Sequence, residues 1–238
     1  MSIATYRNAL ASGHYAAFAI TEHTFALNLP PDICWPHQWY YTPKQLWSKP
    51  AFREEKTTRF LQRIAANQDD ELIFFGLEAE IAADGSFTLD PLLRPHLDLV
   101  IGSIHFIPDS PDPVAEYFRQ LDMLLVHDFD ILGHPFRLLE EHLRGAPVPE
   151  EALLETLRRA AAKGVAVEVN GHTSFSGDVE ILRRSHEIGY DVAFGLDAHH
   201  TRDLEMYNYF ETVLKNSGVD AEMLRLYAPA VVNTGKSK

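Results

Sequence analysis

The sequence predicts an α/β protein built around a parallel barrel. Three observations predict it. Six short apolar runs alternate with amphipathic segments along the chain, the pattern of parallel strands joined by helices. The 238 residues carry no linker and no repeat of fixed period, so one domain with a single large core is expected over 1–238. The apolar runs also finish in polar residues one after another, as the strands of a parallel barrel do at the face that carries active sites.

Taken in order, residues 2–12 read as a short helix and Ala16 to Thr21 as a buried strand ending in Glu22 and His23. From about 24 to 70 the chain turns irregular and aromatic, with prolines at 30, 31, 36, 43 and 50 that interrupt long regular elements. An insertion of that length in a compact domain is usually a lid or a binding loop, and only Thr57 to Asn67 reads as helical within it.

The alternation then becomes regular. "LIFFGLEAEI" (72–81) and "LDLVIGSIHF" (97–106) are strand-like, "PVAEYFRQLDMLLV" (113–126) is helical, and "FDILGHP" (129–135) is a strand ending on His134. The helix in "VPEEALLETLRRAAAKG" is punctuated by Pro149 near its first turn, glutamates at its start, Arg158, Arg159 and Lys163 at its end, and Gly164 as its stop. "VAVEVN" (165–170) is a strand, 178–189 a helix stopped by Gly189, 192–195 a strand, and 203–217 a last amphipathic helix.

A formal net charge of −13 argues against a nucleic-acid surface, although bound cations make a site locally positive. Cys34 is the sole cysteine, so no internal disulfide forms. The apolar stretch near His14 is too short for a membrane span and a poor signal peptide, which makes the cytoplasm the expected compartment and excludes a membrane partner.

Successive strand ends supply His23, Glu78, His105, His134 and the pair Asp197 and His199. Each alone is an ordinary loop residue. Together they are the imidazoles and carboxylates that a cluster of zinc, manganese or iron ions requires, and a carboxylate such as Glu78 is suited to bridge two ions. Glu78 lies between Leu77 and Ala79, where a buried carboxylate needs a partner. Asp197 and His199 share one side of the chain by their spacing of two.

The segments "AITEH" (19–23), "GLEAEI" (76–81), "DLVIGSIHF" (98–106), "DILGHP" (130–135), "VEVN" (167–170) and "GLDAHH" (195–200) resemble, in order, the motifs of the PHP (polymerase and histidinol phosphatase) family of metal-dependent phosphoesterases. "GSIHFI" is closer to the histidinol-phosphatase branch. The resemblance spans residues 1 to about 205. It implies a distorted (β/α)7 TIM-like barrel with up to three divalent ions and hydrolysis of a small phosphorylated molecule by a metal-activated hydroxide. It assigns Glu78, His105 and His134 to one ion, Asp197 with Glu78 to another, and His23 with His199 to a third. Glu78, Asp197 and His199 are the catalytic candidates, and Arg137 and Arg202 the candidate phosphate clamps.

The family's opening strand, ending in His-x-His, has no counterpart here, so the barrel is expected to lack its first strand and one metal site to be weakened. Either the chain starts downstream of that strand, or the protein has shed it and keeps a reduced site. Glu22 replaces the usual aspartate and Leu196 the usual serine. The rival readings are a non-catalytic metal- or phosphate-binding protein and a nuclease. His14 is not promoted to a ligand, and His96, His127, His142, His172 and His186 read as surface or loop residues. Trp35, Trp39, Tyr40, Tyr41 and Trp47 form either a lid over an organic leaving group or the packing of a long loop.

Overall fold

The computed structural model describes residues 1–143, 148–172 and 175–229. Helix α1 (Ile3–Ala11) starts at Ser2, whose Oγ accepts the Thr5 N–H at 3.3 Å. Its Ile3, Tyr6 and Leu10 pack on Ile20, Ile73 and Phe75, so α1 covers the outer face of β1 (Phe18–His23) and the strand beside it.

The insertion is more helical than the sequence suggests. It contains α2 (Thr24–Asn28), α3 (Pro31–Cys34), two single 3₁₀ turns at Gln38–Tyr40 and Pro43–Trp47, and α4 (Pro50–Ala65). Pro31, Pro43 and Pro50 each stand in the first turn of a helical segment, where no N–H is needed. The prolines therefore start helices here, and α4 begins seven residues before Thr57 (50 against 57). Phe25, Leu29, Cys34, Trp39, Tyr40 and Leu46 form a separate small core beneath this segment, and Trp39 Nε1–H donates to the Cys34 carbonyl at 3.1 Å.

Beyond it come β2 (Ile73–Ala79), β3 (Leu99–Gly102), α5 (Pro113–Leu124), β4 (Ile131–Leu132) and α6 (Arg137–His142). They are followed by α7 (Glu150–Lys163), β5 (Ala166–Asn170), α8 (Asp178–Ile188), β6 (Val192–Gly195) and α9 (Tyr207–Ser217). The last helix, expected over 203–217, is divided: a 3₁₀ turn spans Thr201–Glu205 before α9 begins.

All six strands run parallel in the order β1-β2-β3-β4-β5-β6. The sheet curls into a half-barrel consistent with a TIM-like fold. The closed seven-stranded barrel is not what the described residues form, because no pairing joins β1 to β6. The edge of β6 is partly covered by the chain after α9: Val192 N–H donates to the Arg225 carbonyl and Tyr227 N–H to the Val192 carbonyl, at 2.8 and 2.9 Å.

Alternation along the strands separates two layers. Leu77 and Ala79 belong to the main core beneath the helices, together with Leu121, Leu157 and Leu182. Phe74, Leu99, Ile101, Ile131, Ala166 and Ala193 form the inner cluster of the half-barrel. Each fully buried leucine contributes about 1.5–3 kcal/mol. A cavity of about 1170 Å³ opens on this inner face and reaches His23, Glu78, His134, Asp197 and His199.

Candidate metal centre

Strand register creates the first contact. His23 closes β1 directly beside Glu78 on β2, and its Nδ1 lies 3.3 Å from Glu78 Oε2. The other carboxylate oxygen, Oε1, faces the next two strands. It accepts from Ser103 Oγ at 2.6 Å and from His134 Nε2 at 3.0 Å, and His105 Nε2 stands 3.4 Å away. The two oxygens of one buried carboxylate therefore look toward different imidazoles, which is the arrangement a bridging ligand needs.

Backbone strain holds part of this geometry. His134, Phe136 and Asp197 have φ of +26°, +73° and +46°, a region non-glycine residues seldom occupy outside functional sites. Glu168 Oε2 accepts the His134 N–H at 2.5 Å and so supports the strained residue from β5.

Charge in the cluster is strongly coupled. Burial works against ionisation of Glu78, but His105, His134 and His23 outweigh it and hold the carboxyl well below its ordinary range. Burial also disfavours charge on His105, yet Glu80 and Glu78 push it up to about 9. His134 is lowered, chiefly by burial. Glu168 is raised to about 8 by burial and by repulsion from Glu78 and Asp197. Without a cation, a proton on His105 balances the neighbouring carboxylates.

The residues fit divalent cations. His23 Nδ1, His105 Nδ1 and Glu80 Oε1 are buried with no hydrogen bond; Glu80 Oε1 lies 3.0 Å from His105 Nδ1, without the alignment of a hydrogen bond. These atoms stand 3.0–3.3 Å from a neighbouring carboxylate or imidazole without hydrogen-bond alignment, and a cation among them would be met by nitrogen and oxygen lone pairs. One ligand atom each from His23, Glu78 and His105 lie within 4.8 Å of one another. The donors are nitrogen and oxygen, as zinc, manganese and iron prefer.

The remaining sequence-predicted residues divide. Asp197 reaches the cavity, but its Oδ2 accepts from Arg137 Nη1 at 2.9 Å. His199 is exposed, and its Nδ1 lies 2.8 Å from the Asp197 carbonyl oxygen. Its ligand atoms group with His172 and Asp203, while His23 groups with Glu78 and His105. Asp203 Oδ2 accepts the backbone N–H groups of His199 and His200 at 2.8 and 2.7 Å, which folds the loop after β6 onto the 3₁₀ turn. Arg137 is mostly buried, whereas the Arg202 side chain is 82% exposed and 3.7 Å from Asp203. His14 stacks on Tyr207 at 3.9 Å. Among the aromatic residues of the insertion, Trp39 and Tyr40 are buried, and Trp35 is exposed at the cavity.

Glu80, Glu168, His37 and Asp203 escaped the sequence reading, and His172, read as a surface or loop residue, is exposed in a loop and groups with His199 and Asp203. Glu168 carried the clearest signal, a lone carboxylate between valines in an otherwise apolar strand, as Glu78 is between Leu77 and Ala79. Its room comes from Gly195 on β6, where a Cβ would fall 1.6 Å from Glu168 Oε1.

No protein-family model matches the chain. It is similar to a probable phosphatase of Thermoanaerobacter sp. (strain X514), 26% identical over 162 residues that cover 64% of this chain and 62% of the relative. A probable phosphatase of Caldicellulosiruptor saccharolyticus is 26% identical over 179 residues, covering 67% and 71%. The DNA polymerase/3'-5' exonuclease PolX of Bacillus subtilis (strain 168) is 26% identical over 193 residues, 80% of this chain and 30% of that protein. The chain thus spans less than two thirds of the first of these relatives and under a third of PolX. Among the described residues, no helix is long and apolar enough to cross a membrane. At a coarse level, the similarity to proteins named phosphatases and the metal-fitting cluster at the strand ends agree.

Proposed function

We propose that the chain hydrolyses a phosphoester of a small molecule at the Glu78 centre with the help of divalent cations. The observation that carries this reading is one buried carboxylate with three imidazoles within 3.0–3.4 Å, from the end of β1 and the segments after β3 and β4, where His23 Nδ1 and His105 Nδ1 stand beside carboxylates without a hydrogen bond. The names of the phosphatase relatives support it. His23, Glu78, His105 and His134 would hold the cations, and Asp197 would join them once released from Arg137. Bound cations would neutralise charge on the phosphoryl oxygens and acidify a water.

The chain's own groups have separable tasks. Glu78 presents Oε2 to His23 and Oε1 to His105 and His134, setting the spacing of whatever is bound between them. Glu168 fixes the backbone of His134. Arg137, beside Asp197, would clamp a phosphate through its guanidinium N–H groups; the Arg202 side chain is more exposed.

Similarity over 80% of the chain to a polymerase with 3'-5' exonuclease in its name favours nuclease activity as the second reading; the net charge of −13 opposes it. Assaying the manganese-loaded protein on an aryl phosphate and on a single-stranded oligonucleotide separates them. Release of inorganic phosphate from the first with an intact oligonucleotide is the expected result. Oligonucleotide shortening without aryl phosphate turnover would favour the nuclease, and neither would leave a binding protein.

A further inference from the structure

The loop between β1 and β2 carries one more imidazole to this centre. His37 has φ of +54°, a left-handed conformation that costs a non-glycine residue on the order of 1–3 kcal/mol. Its ring stacks on Phe106 at 5.6 Å and meets Phe25, Trp39 and Trp35 at 5.6, 5.9 and 6.5 Å. Inside this aromatic box its Nδ1 is buried and has no hydrogen-bond partner among the described residues. Of the five buried side-chain atoms in that condition, four belong to His23, His37, Glu80 and His105. One wall of the box joins it to the centre, because Phe25 also stacks on His23 with ring centroids 4.8 Å apart. Burial holds the ring below the ordinary histidine range, which favours the neutral, ligating form.

Aromatic packing alone does not account for this combination. A packing residue would not need a strained backbone, and an apolar ring would fill the box without leaving a nitrogen unmatched. We infer that His37 is a nitrogen ligand that the aromatic loop contributes to the cation held by His23, Glu78 and His105. This rests on the metal reading of the centre given above. His37 stands outside the 4.8 Å set formed by the other three, so ligation draws its ring, and the loop with it, toward the cavity mouth. Cation binding thereby sets the position of Trp35, which lines that mouth.

The three tryptophans of the chain, Trp35, Trp39 and Trp47, all lie on this loop, so selectively excited tryptophan fluorescence reports the loop. The test is a zinc titration of the full, chelator-stripped chain, followed by calorimetry and tryptophan fluorescence, for wild type, His37→Gly and His37→Asn. Both replacements tolerate positive φ, and thermal melting checks that each folds. Wild type is expected to show a saturable fluorescence change, and both variants to lose it while binding zinc about 10–100-fold more weakly, the scale of a lost supporting group at a metal. Wild-type affinity and a wild-type fluorescence change in both variants would overturn the role of His37 and leave the metal reading standing. No zinc binding by the wild type in calorimetry would overturn both.

Discussion

Arg137 Nη1 lies 2.9 Å from Asp197 Oδ2, joining the first residue of α6 to the loop after β6. The candidate phosphate clamp and a candidate metal ligand are thus paired with each other. On the proposed function, a cation that recruits Asp197 would compete with the guanidinium, which would turn to a phosphate. Metal loading and phosphate binding would then be coupled through this pair.

Replacement of Arg137 by Gln should therefore have opposite effects on the two ligands. Apparent manganese affinity is expected to rise several-fold, because Asp197 no longer has a competing partner. KM for a phosphoester should rise about tenfold, equivalent to ~1.4 kcal/mol of lost binding. Calorimetry and steady-state kinetics on the same preparation check both; a fall in both affinities would show that Arg137 only supports the fold.

The pH dependence of stability has a definite sign. His105 rises to about 9 and Glu168 to about 8 in the fold, so the folded chain holds protons that the unfolded chain releases. Their stabilisation is complete below the ordinary values of 6.5 and 4.5 and is lost as pH climbs through 9 and 8. Asp178, raised by burial to about 7, adds to the same slope. Glu78 is depressed and acts oppositely, its stabilisation disappearing as pH falls below 4.5. The melting temperature of chelator-treated protein should accordingly peak near the acidic side of neutrality and decline toward pH 9. Manganese, replacing the proton on His105, should flatten the decline. A melting temperature that rises between pH 6 and 9 in chelator would contradict this charge assignment.

Gly195→Ala tests the seat of Glu168. The added Cβ would meet Glu168 Oε1 at 1.6 Å, forcing the carboxylate away from His134, at a cost of about 1–3 kcal/mol. Shortening the neighbour in Gly195→Ala/Glu168→Ala should recover part of the loss in denaturant unfolding. An additive double mutant would mean that the two positions do not press on each other.

The regular part of the fold was legible because its signals are local. Short apolar runs marked β2 and β5, and Pro149, the flanking charges and Gly164 bounded α7 within a residue or two. The strand-end residues were legible for the same reason, since each terminates an apolar run. Glu80 and His37 were not, because their meaning depends on neighbours distant in the chain: His105 for Glu80, and Phe106 with the centre for His37. The insertion misled because proline was read as a breaker when three prolines occupy first turns. The open edge between β1 and β6 was legible in the missing His-x-His strand, whereas the Asp203 contacts that fold the loop after β6 are tertiary facts with no local signature.

The central claim is that a divalent-cation centre organised by Glu78 performs phosphoester hydrolysis. Its most direct test is turnover of an aryl phosphate by chelator-stripped protein before and after manganese addition, wild type beside Glu78→Gln. The isosteric change removes the charge that two sets of imidazoles share while preserving shape. Manganese should raise wild-type turnover at least a hundredfold, and Glu78→Gln, folded by its circular dichroism and melting curve, should retain no more than about a hundredth of it, the scale of losing one transition-state contact. Turnover that is indifferent to manganese, or equal in the two proteins, would contradict the account.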